Sequence, residues 1–321
     1  MPRFITKYFV ALLISSLTIF VIPISLHSQA MPLSNPKTIL FPNFTQSLIR
    51  GGKSQTTYLR RLGNKNKNQS ELAQTMHQLK LLQNSYKQSL SIIKANAALK
   101  GPEHLHIPRI IHQIWLGSPV PKKYQEWMNT WMNWHGWEYK LWTDKEVKEL
   151  ALVNQEIYDK VNNYGQKSDI LRMELLYMMG GIYVDTDFEC RNADFFEVLH
   201  KNVDFYAGIE PLEHAFLRIN NAIIGCAPGH PLMQKMIQEL PAHFEATKNR
   251  WALISTGPVF MTKMIYAYLE QEHSEVNMLL PCSLVYPFTS SEVDHSSSPE
   301  SLIPMKETVA IHYWSKSWVK K

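Results

Sequence analysis

Two acidic residues directly follow a short apolar strand that begins at a pair of glycines. The segment reads Gly180-Gly181-Ile182-Tyr183-Val184-Asp185-Thr186-Asp187. In an open α/β sheet, ligands bind at the carboxyl ends of the strands, so Asp185 and Asp187 are expected at a site rather than in the core. Their oxygen ligands suit Mg²⁺ or Mn²⁺. An isolated Asp-x-Asp is more often a turn, so the neighbouring residues decide between the two interpretations.

The residues before this strand have the spacing of an amphipathic helix. Its apolar positions are Leu171, Leu175, Leu176 and Met179. The helix is expected to have Ser168 or Asp169 as its N-cap and to end at Gly180. Asp169 and Arg172 are three residues apart, so they project from one side of its first turn. They predict either a helix-end ion pair or a carboxylate and a guanidinium that hold sugar hydroxyls beside the metal.

Residues 106–321 alternate strands and helices, which predicts an α/β nucleotide-binding fold with a mostly parallel sheet. The predicted strands include 109–116, 138–142, 205–209 and 222–224, and the predicted helices include 124–134 and 231–240. The chain has 321 residues, of which 45% are hydrophobic. This length and composition predict one main domain with an extension and argue against global disorder.

Several motifs occur in an order that resembles the DXD-containing sugar transferases of glycosyltransferase family 32, which includes α-mannosyltransferases and capsule enzymes, with the glucosylating clostridial toxins as distant relatives. They are Ile107-Pro108-Arg109-Ile110-Ile111-His112-Gln113-Ile114-Trp115-Leu116-Gly117, Ser168-Asp169-x-x-Arg172, Gly180-Gly181-x-Tyr183-x-Asp185-x-Asp187, Asn220-Asn221-Ala222-Ile223-Ile224-Gly225, Gly229-His230-Pro231, Ser255-Thr256-Gly257-Pro258 and His312-Tyr313-Trp314-Ser315-Lys316-Ser317-Trp318. The resemblance covers residues 107 to 318 and implies a GT-A type fold.

The resemblance also implies roles for individual residues. Asp185, Asp187 and His312 would hold Mn²⁺ or Mg²⁺, which stabilises a departing nucleoside diphosphate. The catalytic candidates are Asp169, Arg172, Asp185 and Asp187. The candidates for donor binding are Ile114, Trp115, Asp169, Arg172, Asp185, Ser317 and Trp318. The candidates on the acceptor side are Glu210, Asn221 and Gly257.

Members of this family are retaining and form α-linkages. The resemblance therefore implies hexose transfer from a nucleotide sugar to a hydroxyl of a glycan, glycolipid or protein. No second carboxylate is compelling as a nucleophile, which favours front-face attack with the departing phosphate taking the acceptor proton. Glu210 is the alternative base. GDP-mannose and the UDP-hexoses all suit such a site as donors.

Two other classes of function remain open from the sequence. The first is a glycoside hydrolase, which the metal-type spacing of Asp185 and Asp187 disfavours. The second is a non-catalytic carbohydrate-binding or membrane-tethered protein on the same fold. The presence of all four catalytic candidates argues against this second class.

Residues 1–30 have the pattern of a signal peptide or a signal anchor. Arg3 and Lys7 precede an apolar run over residues 8–26, and Ser28-Gln29-Ala30 resembles a cleavage site. The run is close to the length that spans a bilayer, so both outcomes stay open. The positive flank predicts a catalytic domain across the membrane, either anchored in a Golgi-type lumen or secreted after cleavage.

Residues 31–105 are predicted to form a stem. Its first part, residues 31–70, is rich in Pro, Gly, Asn and Ser and predicts an irregular tether. Residues 72–97 then carry a heptad-like apolar stripe, which predicts a helix that either packs on the catalytic domain or forms a weak homodimer. Residues 50–100 are basic but lack interleaved aromatics, which indicates contact with a membrane surface or solvent rather than with nucleic acid.

Overall fold

The structure is a computed structural model that describes residues 39–48, 69–99, 104–212, 217–296, 298 and 302–318. The predicted signal or anchor, residues 1–30, lies outside the described residues, as does most of the predicted tether. In the part of the chain that is described, no helix is both long enough and apolar enough to cross a bilayer.

A six-stranded mixed sheet lies at the centre of the fold. The strands among the described residues are β1 (Ile110–Ile114), β2 (Glu138–Trp142), β3 (Gly181–Val184), β4 (Phe188–Cys190), β5 (Phe205–Ile209), β6 (Ile219–Cys226), β7 (Asn277–Leu280) and β8 (Ala310–His312). The order in the central sheet is β2-β1-β3-β6-β5-β7, and only β6 runs antiparallel to its neighbours. The prediction of a mostly parallel sheet is therefore confirmed. Strands β3, β5, β6 and β7 are buried along their whole length, which requires cover on both faces of the sheet.

Helices connect and cover these strands. They are α1 (Phe44–Ser47), α2 (Gln69–Ala98), α3 (Lys122–Met132), α4 (Asp144–Val147), α5 (Gln155–Lys160), α6 (Tyr164–Met179), α7 (Ala193–Asn202), α8 (Pro231–Thr247), α9 (Ala252–Ser255), α10 (Pro258–Leu269), α11 (Cys282–Val285) and α12 (Ser290–Asp294). The helix predicted before the two acids is α6. Its N-terminus is capped by Asn163, whose side chain accepts hydrogen bonds from Gly165 N and Gln166 N.

The paired glycines between α6 and β3 are required by the backbone. Gly180 and Gly181 have φ values of 64° and 103°, in the region that favours glycine. A side chain on Gly181 would also clash with the carbonyl oxygen of Ile110 in the neighbouring strand. The pair therefore allows a close return from the helix into β3, which places the two acids at the carboxyl end of that strand.

A small second sheet brings the end of the chain to the same place. Strands β4 and β8 pair antiparallel, with Phe188 opposite His312. The backbone N–H of Tyr313 donates to the carbonyl oxygen of Asp187 at 3.0 Å. The closing motif, residues 312–318, consequently lies beside the acids that follow β3.

Part of the predicted stem belongs to the core. Helix α2 packs against β7, and Leu79, Leu82, Tyr86 and Ile93 are buried on its inner face. The hydroxyl of Ser89 donates to the carbonyl oxygen of Asn277 at the start of β7, at 3.1 Å. The heptad-like stripe therefore corresponds to a helix packed on the domain. Homodimerisation through α2 stays a prediction.

Helix α8 is longer than the sequence predicts. The pattern places its end at residue 240, before a proline, whereas the helix continues through Pro241 to Thr247. Proline has no N–H to donate to the carbonyl oxygen of Ile237, one turn earlier. The side-chain amide of Asn154 donates to that oxygen instead, at 3.1 Å. This replacement hydrogen bond explains why the helix tolerates Pro241.

Candidate active site

A cavity of about 900 Å³ opens at the carboxyl ends of the central strands. Trp115 follows β1, Asp185 and Asp187 follow β3, and Glu210 follows β5, and all of them line the cavity. This position agrees with the rule that open α/β sheets bind ligands outside the carboxyl ends of their strands. Every candidate residue named from the sequence lines this cavity except Gly257.

Asp185, Asp187 and His312 form a cluster that could hold a divalent cation. One ligand atom from each lies within 4.8 Å of the others. Asp187 and His312 are buried, and His312 Nε2 lies 3.1 Å from Asp187 Oδ1. The other ring nitrogen of His312, Nδ1, is buried and has no hydrogen-bond partner among the described residues. Two carboxylates and an imidazole with an unpaired nitrogen fit Mn²⁺ or Mg²⁺ as a ligand set.

The electrostatics of this cluster favour a cation. Burial by itself would raise the pKa of Asp187, but His312 and the backbone N–H of Ser315 hold that pKa below its usual value. Burial would lower the pKa of His312, yet Asp187 and Asp185 hold it above its usual value. Burial and the nearby charge of Asp187 raise the pKa of Asp185, against the effect of Arg172. The opposite shifts of the Asp187 and His312 pKa values thus share one cause, which is the contact between the two side chains.

Arg172 lies in the third turn of α6, which begins at Tyr164 rather than near Asp169, and it connects this helix to the acids after β3. Its guanidinium is buried and lies 3.2 Å from both Asp169 Oδ1 and Asp185 Oδ1. The same group donates to the carbonyl oxygens of Asn221 at 2.7 Å and Ser168 at 3.1 Å. The ring of Tyr183 packs on it, 4.4 Å from the guanidinium carbon to the ring centroid. Asp169 and Arg172 therefore form a fixed part of a buried network.

Asp169 is held from three sides. Beside Arg172, it accepts hydrogen bonds from the Asn221 side-chain amide at 2.7 Å and from the Thr256 hydroxyl at 2.8 Å. Burial raises the pKa of Asp169 to about 6, although Arg172 and the two hydrogen-bond donors oppose this effect. Gly257 lies behind this carboxylate, since a Cβ on it would be 3.3 Å from Asp169 Oδ2. Gly257 thus supports Asp169 from outside the cavity.

Aromatic residues line the side of the cavity next to β1. Trp115 packs on Tyr124 with 4.6 Å between ring centroids, and its indole N–H donates to Ser118 Oγ at 3.2 Å. Trp318 lies across the start of α6, where a Cβ on Gly165 would be 2.9 Å from its ring. Ile114 and Ser317 line the same cavity. This side offers apolar faces of the kind that bind a planar base.

The closing motif lies beside the cluster of Asp185, Asp187 and His312 in an unusual backbone conformation. Trp314 and Lys316 have φ values of 49° and 50°, which are uncommon for residues other than glycine. Between them, the backbone N–H of Ser315 donates to Asp187 Oδ2 at 2.7 Å. The Trp314 indole donates to Phe288 O at 2.9 Å, and the Lys316 ammonium lies 2.6 Å from Asp294 Oδ2. These anchors hold the loop in place over the acids.

The side of the cavity next to β5 carries the acceptor-side candidates and residues that the sequence did not single out. Glu210 is buried and accepts from the Asn220 side-chain amide at 2.9 Å. Arg218 Nη1 lies 3.6 Å from Glu210 Oε2, and Arg218 and Trp251 both line the cavity. Neither residue has a signal in the sequence beyond its residue type. Thr256 could have been identified, because it stands in one of the motifs quoted for the resemblance. Its contact with Asp169, however, is made only in the folded chain.

Comparison with known proteins agrees with this site. Residues 120–202, which include both acids after β3, match the family described as "Glycosyltransferase sugar-binding region containing DXD motif". The chain is 29% identical over 201 residues to inositol phosphoceramide mannosyltransferase 1 of Schizosaccharomyces pombe, covering 60% of this chain and 61% of that protein. It is also 29% identical over 174 residues to inositol phosphoceramide mannosyltransferase 3 of the same yeast, covering 49% and 44% of the two chains.

The match therefore spans about half the length of these curated relatives. Among solved structures, the PaToxG glycosyltransferase superposes with a TM-score of 0.45 at 20% identity, covering 57% of this chain and 78% of that one. Both acids of the DXD motif and the helix before them lie within the matched region. Residues 120–202 thus carry the DXD-containing sugar-binding region of glycosyltransferases.

Proposed function

We propose that this protein is a metal-dependent, retaining glycosyltransferase of the GT-A type that moves a hexose from a nucleotide sugar to an acceptor hydroxyl, forming an α-linkage. The observation that carries the proposal is the cluster of Asp185, Asp187 and His312 at one cavity with the buried Asp169–Arg172 network. A divalent cation and a sugar-holding network in one cavity are what a nucleotide-sugar donor needs.

The donor would lie along the sheet edge with its base near β1. Trp115 offers an aromatic face there, and Trp318 and Ser317 close the cavity over the diphosphate. Bound Mn²⁺ or Mg²⁺, held by Asp185, Asp187 and His312, would supply Lewis-acid stabilisation of the diphosphate leaving group. Asp169 would accept hydrogen bonds from the donor hexose, while Arg172 fixes the orientation of Asp169 and Asp185.

Exclusion of water is a second task of the closing motif. The loop over residues 313–318 is anchored to Phe288 and Asp294 and lies against the acids. A covered donor transfers its sugar to the acceptor in preference to water, since closure removes competing nucleophiles. Front-face attack, with the acceptor proton passing to the departing phosphate, needs no additional base. Glu210 is the alternative base on this route.

Donor and acceptor are proposed from the relatives. Both yeast relatives are named as mannosyltransferases acting on inositol phosphoceramide, which favours GDP-mannose as donor and a glycolipid as acceptor. UDP-hexoses remain donors to be tested, as do glycan and protein acceptors. We also propose that residues 1–30 target the protein to or across a membrane, that residues 106–321 form the catalytic domain, and that residues 31–105 form a stem whose helix α2 packs on that domain.

Thermal melting with nucleotide and metal tests the proposal. UDP, GDP and, as a control, ADP are added to the full chain with Mn²⁺ or with EDTA. One of UDP and GDP, at a hundredfold excess over its dissociation constant, is expected to stabilise the protein by about 2.7 kcal/mol in Mn²⁺ only. A mass-spectrometric screen of GDP-mannose and UDP-hexoses then identifies the donor by its hydrolysis. Nucleotide binding that is the same with Mn²⁺ and with EDTA would contradict metal-dependent catalysis.

A further inference from the structure

The order of strands at the sheet edge divides the cavity into a donor side and an opposite side. Trp115 follows β1, the acids follow β3, and Glu210 follows β5. Because β6 alone separates β3 from β5, Glu210 and Asp185 follow strands whose axes lie roughly 10 Å apart. Trp115 lies on the other side of the acids. Glu210 and Trp115 therefore lie on opposite sides of the cluster of Asp185, Asp187 and His312.

Three planar polar side chains form a cluster on this side. Glu210, only 2% exposed, accepts from Asn220 Nδ2 at 2.9 Å with one carboxylate oxygen. Its other oxygen lies 3.6 Å from Arg218 Nη1. All three residues line the cavity, and we refer to them as the acceptor-side cluster. Their positions are fixed by these contacts, so they offer hydrogen bonds in set directions.

The charge of the acceptor-side cluster argues for an uncharged ligand. Glu210 carries one negative charge and Arg218 one positive charge, and the two already face each other. The pair leaves no excess positive charge to balance a phosphate or sulfate group. A carboxylate, a guanidinium and an amide side by side instead match vicinal hydroxyls, which both donate and accept hydrogen bonds.

An exposed tryptophan lines the same cavity as this cluster. Trp251 is 77% exposed and lines the cavity together with Ala252, Leu253 and Pro258. It directly precedes α9, which leads into α10, and α10 packs on β6, the strand that carries Asn220. A large aromatic side chain that is exposed at a cavity often packs against an apolar surface of a ligand. The C–H face of a pyranose ring is flat and apolar enough to do so.

We propose that the acceptor-side cluster and Trp251 form the acceptor subsite, and that this subsite binds an uncharged pyranose ring. The ring stacks on Trp251, and its hydroxyls donate to Glu210 and accept from Arg218 and Asn220. This inference rests on the proposed function, because it assigns the second substrate of the same cavity. The inference adds the chemical class of the acceptor and identifies Trp251 as the residue on which the acceptor ring stacks.

Acceptor-stimulated release of nucleotide tests this subsite. The full chain is incubated with Mn²⁺, the donor found by hydrolysis, and either a methyl pyranoside (mannoside, glucoside or galactoside) or the matching hexose 6-phosphate. At least one methyl pyranoside is expected to raise the rate saturably, and its 6-phosphate is expected to be no better. Stimulation by the phosphates alone, or by no sugar, would overturn the inference. Failure of donor hydrolysis without any acceptor would instead overturn the proposed function, and the inference with it.

Variants then separate stacking from general damage. Trp251→Ala is expected to raise the acceptor KM about tenfold, which corresponds to about 1.4 kcal/mol, while the donor KM changes less than about twofold. Trp251→Phe, which keeps an aromatic face, should restore the acceptor KM to within about threefold of the wild-type value. Ile303→Ala, at a residue that is 90% exposed and outside the cavity lining, is the control. An acceptor KM in Trp251→Ala equal to that of the wild type would refute the assignment of Trp251.

Discussion

The imidazole of His312 and the carboxylate of Asp187 form a buried ion pair, with 3.1 Å between Nε2 and Oδ1. The two residues are 125 positions apart and meet because β8 pairs with β4, directly after the second acid. The pair also fixes the closing motif, since Asp187 accepts from the backbone N–H of Ser315. The carboxylate of Asp187 thus contacts both His312 of the candidate metal site and the loop that follows His312.

Replacing Asp187 with Asn should abolish the response to metal without unfolding the protein. Asn has nearly the same shape and can still accept from Ser315, but it supplies no charge to a divalent cation. The stabilisation of about 2.7 kcal/mol expected from nucleoside diphosphate with Mn²⁺ should be lost, as measured by thermal melting. Asp159→Asn makes the same chemical change at an exposed position and serves as the control. If the Asp187→Asn variant retained the full Mn²⁺-dependent stabilisation, Asp187 would not be a metal ligand.

Arg172→Lys should impair both stability and donor hydrolysis. The guanidinium bridges Asp169 and Asp185 and donates to two backbone carbonyl oxygens, and a lysine ammonium cannot reproduce this planar set. Loss of two or more charged hydrogen bonds in a buried network predicts destabilisation by about 3 kcal/mol. Donor hydrolysis should fall about a hundredfold, because Asp169 and Asp185 lose their fixed orientation.

The matched control for this substitution is Arg191→Lys. Arg191 pairs with Glu189 at 3.1 Å, but its side chain is 48% exposed. Exposed ion pairs contribute little, so the change in the free energy of unfolding should stay below about 0.5 kcal/mol. Urea denaturation of both variants gives the comparison. Equal stability of the two would mean that Arg172 is not a structural part of the site.

Two buried histidines predict that the protein loses stability in mild acid. Burial lowers the pKa of His112 to about 4 and that of His200 to about 3. His112 is neutral in the fold, because its Nδ1 accepts from the Trp142 indole at 3.1 Å. In the unfolded chain both take up a proton near pH 6.5, so their contribution is complete above that pH and falls as the pH drops toward 4.

Each histidine should contribute a slope of about 1.4 kcal/mol per pH unit in this window. Urea denaturation between pH 7 and pH 4.5 measures it. His200→Gln removes one of the two groups and should reduce the slope by that amount, whereas His135→Gln, an exposed substitution, controls for the loss of a histidine. If His200→Gln leaves the slope unchanged, the acid sensitivity has another source.

Local features of the sequence predicted the central part of the site. The glycine pair, the apolar strand and the two acids form one continuous segment, so strand spacing and turn chemistry are enough to place Asp185 and Asp187. The strand 205–209 was also predicted with its observed bounds, because neighbouring residues determine where it begins and ends. The grouping of Asp185, Asp187 and His312 came from the resemblance, and the structure brings them together.

Features that depend on distant residues could not be predicted in this way. Helix α8 continues through Pro241 because Asn154, 87 positions before this proline, donates a hydrogen bond to the carbonyl oxygen of Ile237. Pro241 itself cannot donate that hydrogen bond. The partner of Asp169 at Thr256 is similarly remote. Helix α2 was assigned to a stem, yet its apolar stripe does not reveal whether it packs on the domain or on a second copy.

Leu82→Ala tests whether α2 is a structural part of the domain. Leu82 is fully buried on the inner face of this helix, which packs on β7. Truncation of a buried leucine leaves a cavity and should lower the free energy of unfolding by about 2 to 5 kcal/mol. Lys87→Ala, at an exposed position of the same helix, should change it by less than about 0.5 kcal/mol.

Measurement of the Leu82→Ala variant at several protein concentrations distinguishes the two roles predicted for the helix. If α2 packs on its own domain, the loss of stability is the same at every concentration, because folding remains unimolecular. If α2 instead joins two copies, the melting temperature of the wild type rises with concentration and Leu82→Ala abolishes that dependence. Packing of Ser89 and Tyr86 onto residues of the same chain favours the first result. A wild-type melting temperature that increases with concentration would contradict it.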